Sequence, residues 1–169
     1  GAPTVVIHPP FRWQRAYAEE FVEGIARRER DSGLYLAVEN MYPWRAVGQT
    51  MQAYLPDFRV VGLGYPSTAL DFSHSAASGD DAMEMAVGLA SSLRHVHLGD
   101  GSGSSRDEHL VPGRGNQPCG PVLDYLKEEG FTGDVIVEVS TRNRTRDQRD
   151  YDLAESLAFA RLHLLSGMP

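Results

Sequence analysis

Apolar positions along this chain alternate between two spacings, one suited to strands and one to helices. Five short runs rich in Val, Ile, Leu and aromatics, each bounded by turn formers, predict buried strands. They are Thr4–His8, Leu34–Asn40, Thr68–His74, Arg94–Asp100 and Asp134–Ser140. Helical spacing fills the gaps. Trp13, Tyr17, Phe21 and Ile25 recur every four residues. Met83, Val87, Ala90 and Leu93 mark a second helix that Asp80 or Asp81 can cap. Pro121 suits a first helical position ahead of Val122, Leu123 and Leu126, and Gly130 supplies the stop. Leu153, Leu157, Ala160 and Leu164 give the last helix its stripe. The stretch Ala46–Leu55 also reads as helical, while Phe58–Tyr65 and Gly99–Pro118 read as parts of long loops.

Strand and helix alternate throughout, which predicts an α/β fold with parallel pairing and right-handed crossovers. Five βα units are too few to close an eight-stranded barrel, which takes about 250 residues. A partial barrel and an open doubly wound sheet both remain compatible with the pattern. The strand ends decide between them.

Composition adds bounds. A length of 169 residues, 41% apolar and 23% charged, fits a single domain spanning 1–169. No apolar run approaches the roughly 18 residues of a membrane span, and the opening residues lack a secretory pattern. The lone Cys119 excludes an internal disulfide and suits a reducing cytoplasm, which is the expected location. Its neighbours Pro118, Gly120 and Pro121 place it in a turn and make it a poor nucleophile. A net charge of −7 argues mildly against a broad nucleic-acid surface.

Each strand candidate ends in a residue able to bind a metal: His8, Glu39, Asp71 with His74, His97 with Asp100, and Glu138. Glu39 and Glu138 sit within apolar strand sequence, where an unpaired carboxylate is costly. In a parallel barrel all strand C-termini open on one face, so these side chains converge there. Taken singly, His8 before Pro9 and Pro10 reads as a turn residue, and a strand-end Glu as a salt-bridge partner. Five in register read as a metal site. His95 lies one layer deeper than His97 and reads as a packing residue.

These motifs, from Ile7-His8-Pro9-Pro10 to Val137-Glu138-Val139, resemble the xylose-isomerase-like TIM-barrel superfamily. That superfamily includes sugar-phosphate isomerases and epimerases and the endonuclease IV-type AP endonucleases. The resemblance spans nearly the whole chain and implies about strands 4–8, the C-terminal portion of such a barrel. It implies one metal on Glu39, Asp71, His97 and Glu138. The spacing from Asp71 to His74 matches the family's pattern, and Asp107-Glu108-His109 resembles the Asp-x-His of endonuclease IV. By that resemblance His74, Asp107 and His109 form a further metal or substrate site, with His8 serving a neighbouring one. Another histidine of a full three-metal site is absent from this sequence.

Two chemistries follow from the resemblance. In the first, a divalent cation (Mn²⁺, Zn²⁺, Co²⁺ or Mg²⁺) supports isomerisation or epimerisation of a small sugar or sugar phosphate. Glu39 and Glu138 are then the catalytic pair, moving a proton through an enediolate. Arg142, with Arg144 and Arg146, follows the last strand and can meet a phosphate or carboxylate, or simply form a solvated basic turn. In the second, several zincs hydrolyse a phosphodiester at abasic DNA, and DNA becomes a partner only there. No membrane partner is expected. A five-unit sheet has open edges, so a homo-oligomer, or a place within a longer chain, is expected.

Overall fold

The computed structural model describes residues 3–46 and 49–165. Its core is a five-stranded parallel sheet made of β1 (Thr4–Ile7), β2 (Tyr35–Glu39), β5 (Thr68–Asp71), β6 (Leu93–Leu98) and β7 (Asp134–Val137). The strands lie in the order β1-β2-β5-β6-β7, which is also their order along the chain. A doubly wound sheet reverses its strand order at a switch point; this one never does. The sheet curls into a half-barrel, the partial TIM barrel the strand ends had pointed to.

The helices are α1 (Arg15–Ser32), α2 (Phe72–Ser78), α3 (Ala82–Leu89), α4 (Cys119–Glu128) and α5 (Arg146–Leu165). Phe21 and Ile25 of α1, Met85 and Leu89 of α3, and Val122, Leu123 and Leu126 of α4 pack against Val38, Leu70, Val96 and Leu98 of the sheet. Alternation places these strand residues on the covered face. Asp81, rather than Asp80, caps α3, accepting the Met83 and Glu84 N–H groups at 2.7 and 3.2 Å. Gly33 ends α1 at φ 69°, a left-handed conformation that glycine adopts without a Cβ clash. No described helix is long and apolar enough to cross a membrane.

Several expectations need correcting. The stretch Ala46–Leu55 is not helical among its described residues; instead β3 (Trp44–Ala46) and β4 (Gln49–Met51) pair antiparallel as a hairpin. Residues 47 and 48 of that stretch lie outside the described residues. Trp44 stands against Phe11 and Tyr54, and these aromatic contacts hold the hairpin where local spacing suggested a helix. The third strand stops at Asp71, because the Asp71 carboxylate accepts the His74 N–H at 2.8 Å and starts α2; His74 is therefore helical. Cys119 opens α4 instead of sitting in a turn, so Pro121 is the third helical residue. Trp13, Tyr17 and Val87, assigned to buried stripes, are exposed, and Leu93, expected in the second helix, opens β6. In α3 the small side chains of Ala82 and Ala86 pack inward with Met85 and Leu89. In α5 the inward positions are Asp152, Ser156 and Ala160, while Leu153 and Leu157 face out. Arg114 and Arg144 account for the inversion, pairing with Asp152 at 2.9 and 3.6 Å.

Candidate metal and catalytic centre

Sheet register fixes where the strand-end side chains meet. Glu39 stands beside Ala69, Asp71 beside His97, and the Glu138 N–H bonds the Leu98 carbonyl at 3.0 Å. Their side chains therefore emerge at the same end of four neighbouring strands. His97 Nδ1 lies 2.6 Å from Glu39 Oε1, 3.0 Å from Glu138 Oε2 and 3.6 Å from Asp71 Oδ2. Glu39 and Asp71 are buried, whereas the Glu138 side chain is about half exposed.

This packing of carboxylates around imidazoles moves their pKa values. Burial would raise the Glu39 carboxyl, but hydrogen bonds from His8 and His97 hold it at about 2. Burial would lower His97, yet Asp71, Glu138 and Glu39 together push it up to about 12. His74, also opposed by burial, is raised to about 9 by Asp71 and Asp107. The His97 hydrogen bond lowers Glu138. The surrounding carboxylates thus favour positive charge on His97 and His74.

The donor set fits a divalent cation. Ligand atoms of Glu39, Asp71 and His97 all lie within 4.8 Å of one another, as do those of Asp71, His74 and His109. Asp71 is common to both groups, and its Oδ2 is buried with no hydrogen-bond partner. A bare buried carboxylate oxygen is costly unless a cation serves it. Glu138 stands outside the tight groups, on the open side of His97. His8 meets the centre at Glu39, with its Nε2 3.1 Å from Glu39 Oε2.

The loop residues join the same end of the barrel. Asp107 bridges two imidazoles, lying 3.5 Å from His74 Nε2 and 3.0 Å from His109 Nε2. His109 Nδ1 lies 3.2 Å from the Glu138 carbonyl, which ties the loop to the last strand end. Arg142 lines a separate cavity of about 300 Å³ beside His109 and Arg114. Among the described residues it makes no hydrogen bond or ion pair to Glu39, Asp71, His97 or Glu138, and none of these four lines that cavity. Cys119 is buried, and burial pushes its thiol up to about 12, which leaves it inert. His95 is buried with its ring edge-on to His97 at 4.9 Å, in keeping with a packing role.

Two supporting residues, Asn40 and Ser73, escaped the sequence reading, and a third, Asp100, was expected as a strand-end ligand candidate but serves the 99–118 loop instead. Asn40 holds the Asp71 backbone through both its N–H and its carbonyl, and its own carbonyl lies 2.9 Å from His74 Nδ1. Ser73 donates to Asp107 Oδ1 at 2.8 Å and accepts the Glu108 and His109 N–H groups. Asp100, fully buried, accepts N–H groups from Gly101, Gly113, Gly115 and Gln117. It is the hub that folds the 99–118 loop. Only the Gly-rich composition of that loop hinted at such a hub.

A half-barrel whose strand ends gather carboxylates and imidazoles at one mouth defines a class, and sequence comparison agrees. The model of the xylose isomerase-like TIM barrel family matches residues 1–163, and the chain belongs to that family. An uncharacterized protein of Mycobacterium tuberculosis is 44% identical over 185 residues, covering 98% of this chain and 66% of its own length. One from Methanocaldococcus jannaschii is 30% identical over 147 residues, covering 79% of this chain and 50% of its own length. The chain thus spans about two thirds or less of the curated relatives it matches. Among solved structures, a D-tagatose 3-epimerase-like protein superposes with TM-score 0.62 at 24% identity, over 94% of this chain and 63% of its own. A xylose isomerase domain protein from Alicyclobacillus acidocaldarius gives 0.65 at 20%, over 95% and 66%. The 3-keto-D-glucoside 4-epimerase of E. coli gives 0.59 at 18%, over 87% and 53%. At these identities the likeness speaks to fold.

Proposed function

We propose that this chain carries the reactive centre of a divalent-metal-dependent isomerase or epimerase acting on a small sugar or sugar phosphate. In this reading it forms the C-terminal five βα units of a xylose-isomerase-like barrel, and Glu39, Asp71, His97 and Glu138 hold the cation. The observation that carries the reading is the meeting of three strand-end carboxylates, from Glu39, Asp71 and Glu138, around His97 Nδ1. The orphaned Asp71 Oδ2 supports it. When bound, the cation would polarise the substrate carbonyl and offset the charge of an enediolate. Glu39 and Glu138, whose carboxylates both lie within 3.0 Å of His97 Nδ1, are the pair that removes and returns the proton beside that carbonyl. Asp71 and Asn40 keep the buried side of the centre fixed, while the half-exposed Glu138 faces the substrate side.

The test is solvent-deuterium incorporation into a panel of ketoses and their phosphates, with metal content measured on the same protein. Exchange that needs metal and vanishes in Glu138→Gln supports the reading, because an amide cannot act as a base. Metal binding without exchange on any sugar would overturn it. A second reading, an endonuclease IV-type AP endonuclease, is favoured by one observation: the Asp71, His74 and His109 group, with Asp107 bridging the two imidazoles. The net charge of −7 weighs against it.

A further inference from the structure

A second cavity adjoins the centre, and its chemistry bears on the substrate. It holds about 640 Å³, within the range of small-molecule sites, and lies between the β3–β4 hairpin and the loop that carries Asp107. Tyr42, Trp44 and Met51 give it an apolar wall, and Arg45 and Arg106 line it from the two separate elements. Asp107 also lines it and is the link to the centre, because the same carboxylate pairs with His74 and His109. Tyr42 continues the contact, its ring 5.0 Å from that of His74.

Several arginines bordering the fold's loops are already engaged. Arg59, Arg114 and Arg144 pair with carboxylates, and Arg94 donates to carbonyls. Arg45 and Arg106 make no hydrogen bond or ion pair among the described residues, although Arg106 acts at a distance on Glu108. The one carboxylate in the cavity wall, Asp107, already has two imidazoles to answer it. Positive charge is therefore left over on two exposed guanidiniums in a cleft that Tyr42, Trp44 and Met51 line together with the polar Gln49 and Ser105, and a guanidinium binds an anion through charge-assisted hydrogen bonds.

We propose that this cleft is a subsite for an anionic group of the substrate, a phosphate or a carboxylate, held between Arg45 and Arg106 beside Trp44. The inference rests on the isomerase or epimerase reading for the reacting end and narrows the substrate to a phosphorylated sugar or a sugar acid. Trp44 lines the cleft, so its fluorescence reports occupancy in a Trp13→Phe background. That protein is titrated, metal-free and Mn²⁺-loaded, with inorganic phosphate, glycolate, ribose 5-phosphate, neutral ribose and an abasic duplex. A saturable response to the phosphates, to glycolate or to both is expected, with the responding arm naming the anion. Arg45→Gln and Arg106→Gln should each weaken it tenfold or more, while Arg28→Gln on α1 leaves it unchanged. Loss of the metal reading alone would appear as absent Mn²⁺ binding with the anion response intact. No saturable response to either anion, a response that survives both glutamine substitutions, or saturation by the abasic duplex alone would overturn the subsite.

Discussion

Asn40 and Asp71 clasp the ends of neighbouring strands: Asn40 Oδ1 accepts the Asp71 N–H at 2.7 Å, and Asn40 Nδ2 donates to the Asp71 carbonyl at 3.1 Å. The clasp sets the backbone from which the Asp71 carboxylate projects. Asn40→Ala leaves the buried Asp71 N–H without its acceptor, at about 1–3 kcal/mol for an unsatisfied group, while the Asp71 carbonyl keeps the Ser75 hydroxyl at 2.9 Å. Calorimetric melting should fall by several degrees, and divalent-metal affinity should fall about 10–100-fold, the usual effect of losing a residue that orients a ligand. An unchanged metal affinity in a destabilised variant would confine Asn40 to a structural role.

Asp100 makes a parallel case in the loop. Its buried carboxylate accepts four backbone N–H groups, and a Cβ at position 115 would stand 2.3 Å from Asp100 Oδ1. Asp100→Ala and Gly115→Ala should therefore both release the 99–118 segment, one by removing the acceptor and one by displacing it. Limited proteolysis should cut both variants between residues 101 and 117 at protease levels the parent resists. Resistance of either variant would contradict the hub.

The metal-free centre should show a definite pH profile. His97 is raised from 6.5 to about 12, burial being outweighed by Asp71, Glu138 and Glu39. Its stabilisation is complete below 6.5 and fades as pH climbs towards about 12. Glu39 is lowered from 4.5 to about 2, burial being outweighed by His8 and His97. Its contribution is complete above 4.5 and is lost as pH falls towards 2. These two groups place the stability maximum of the metal-free protein between those limits, near pH 4.5 to 6.5. A bound cation must displace the His97 proton, so metal affinity should rise with pH and binding should release protons to the buffer. Melting curves across pH, and calorimetric titration in buffers of different ionisation heat, check both statements.

The two proposed chemistries part at the loop. Asp107→Ala combined with His109→Ala should leave one metal bound and proton exchange measurable if the centre isomerises sugars. If it cleaves abasic DNA, the same double variant should lose metal and activity together. Metal stoichiometry and the two assays, run side by side, separate these outcomes.

Much of the fold was legible because its strands are short apolar runs ending in residues that apolar strands rarely carry. Glu39, Asp71, His97 and Glu138 stood out for that reason. Secondary structure set by tertiary partners was not legible. The residues of β4, Gln49–Met51, are all exposed, so no buried alternation marked a strand; aromatic contacts of Trp44 made the hairpin. The α5 stripe was read from Leu153 and Leu157, but ion pairs drew Asp152 inward instead. Asn40 and Ser73 act through contacts about 30 residues away in sequence, and no local pattern reports such partners.

The central claim is that four strand ends share one cation. Anomalous diffraction from crystals grown with Zn²⁺ tests it most directly. The account predicts a peak within about 2.0–2.3 Å of donor atoms from Glu39, Asp71, His97 and Glu138. A protein that takes up no zinc there, or a peak that leaves out Glu39 and His97, would contradict it.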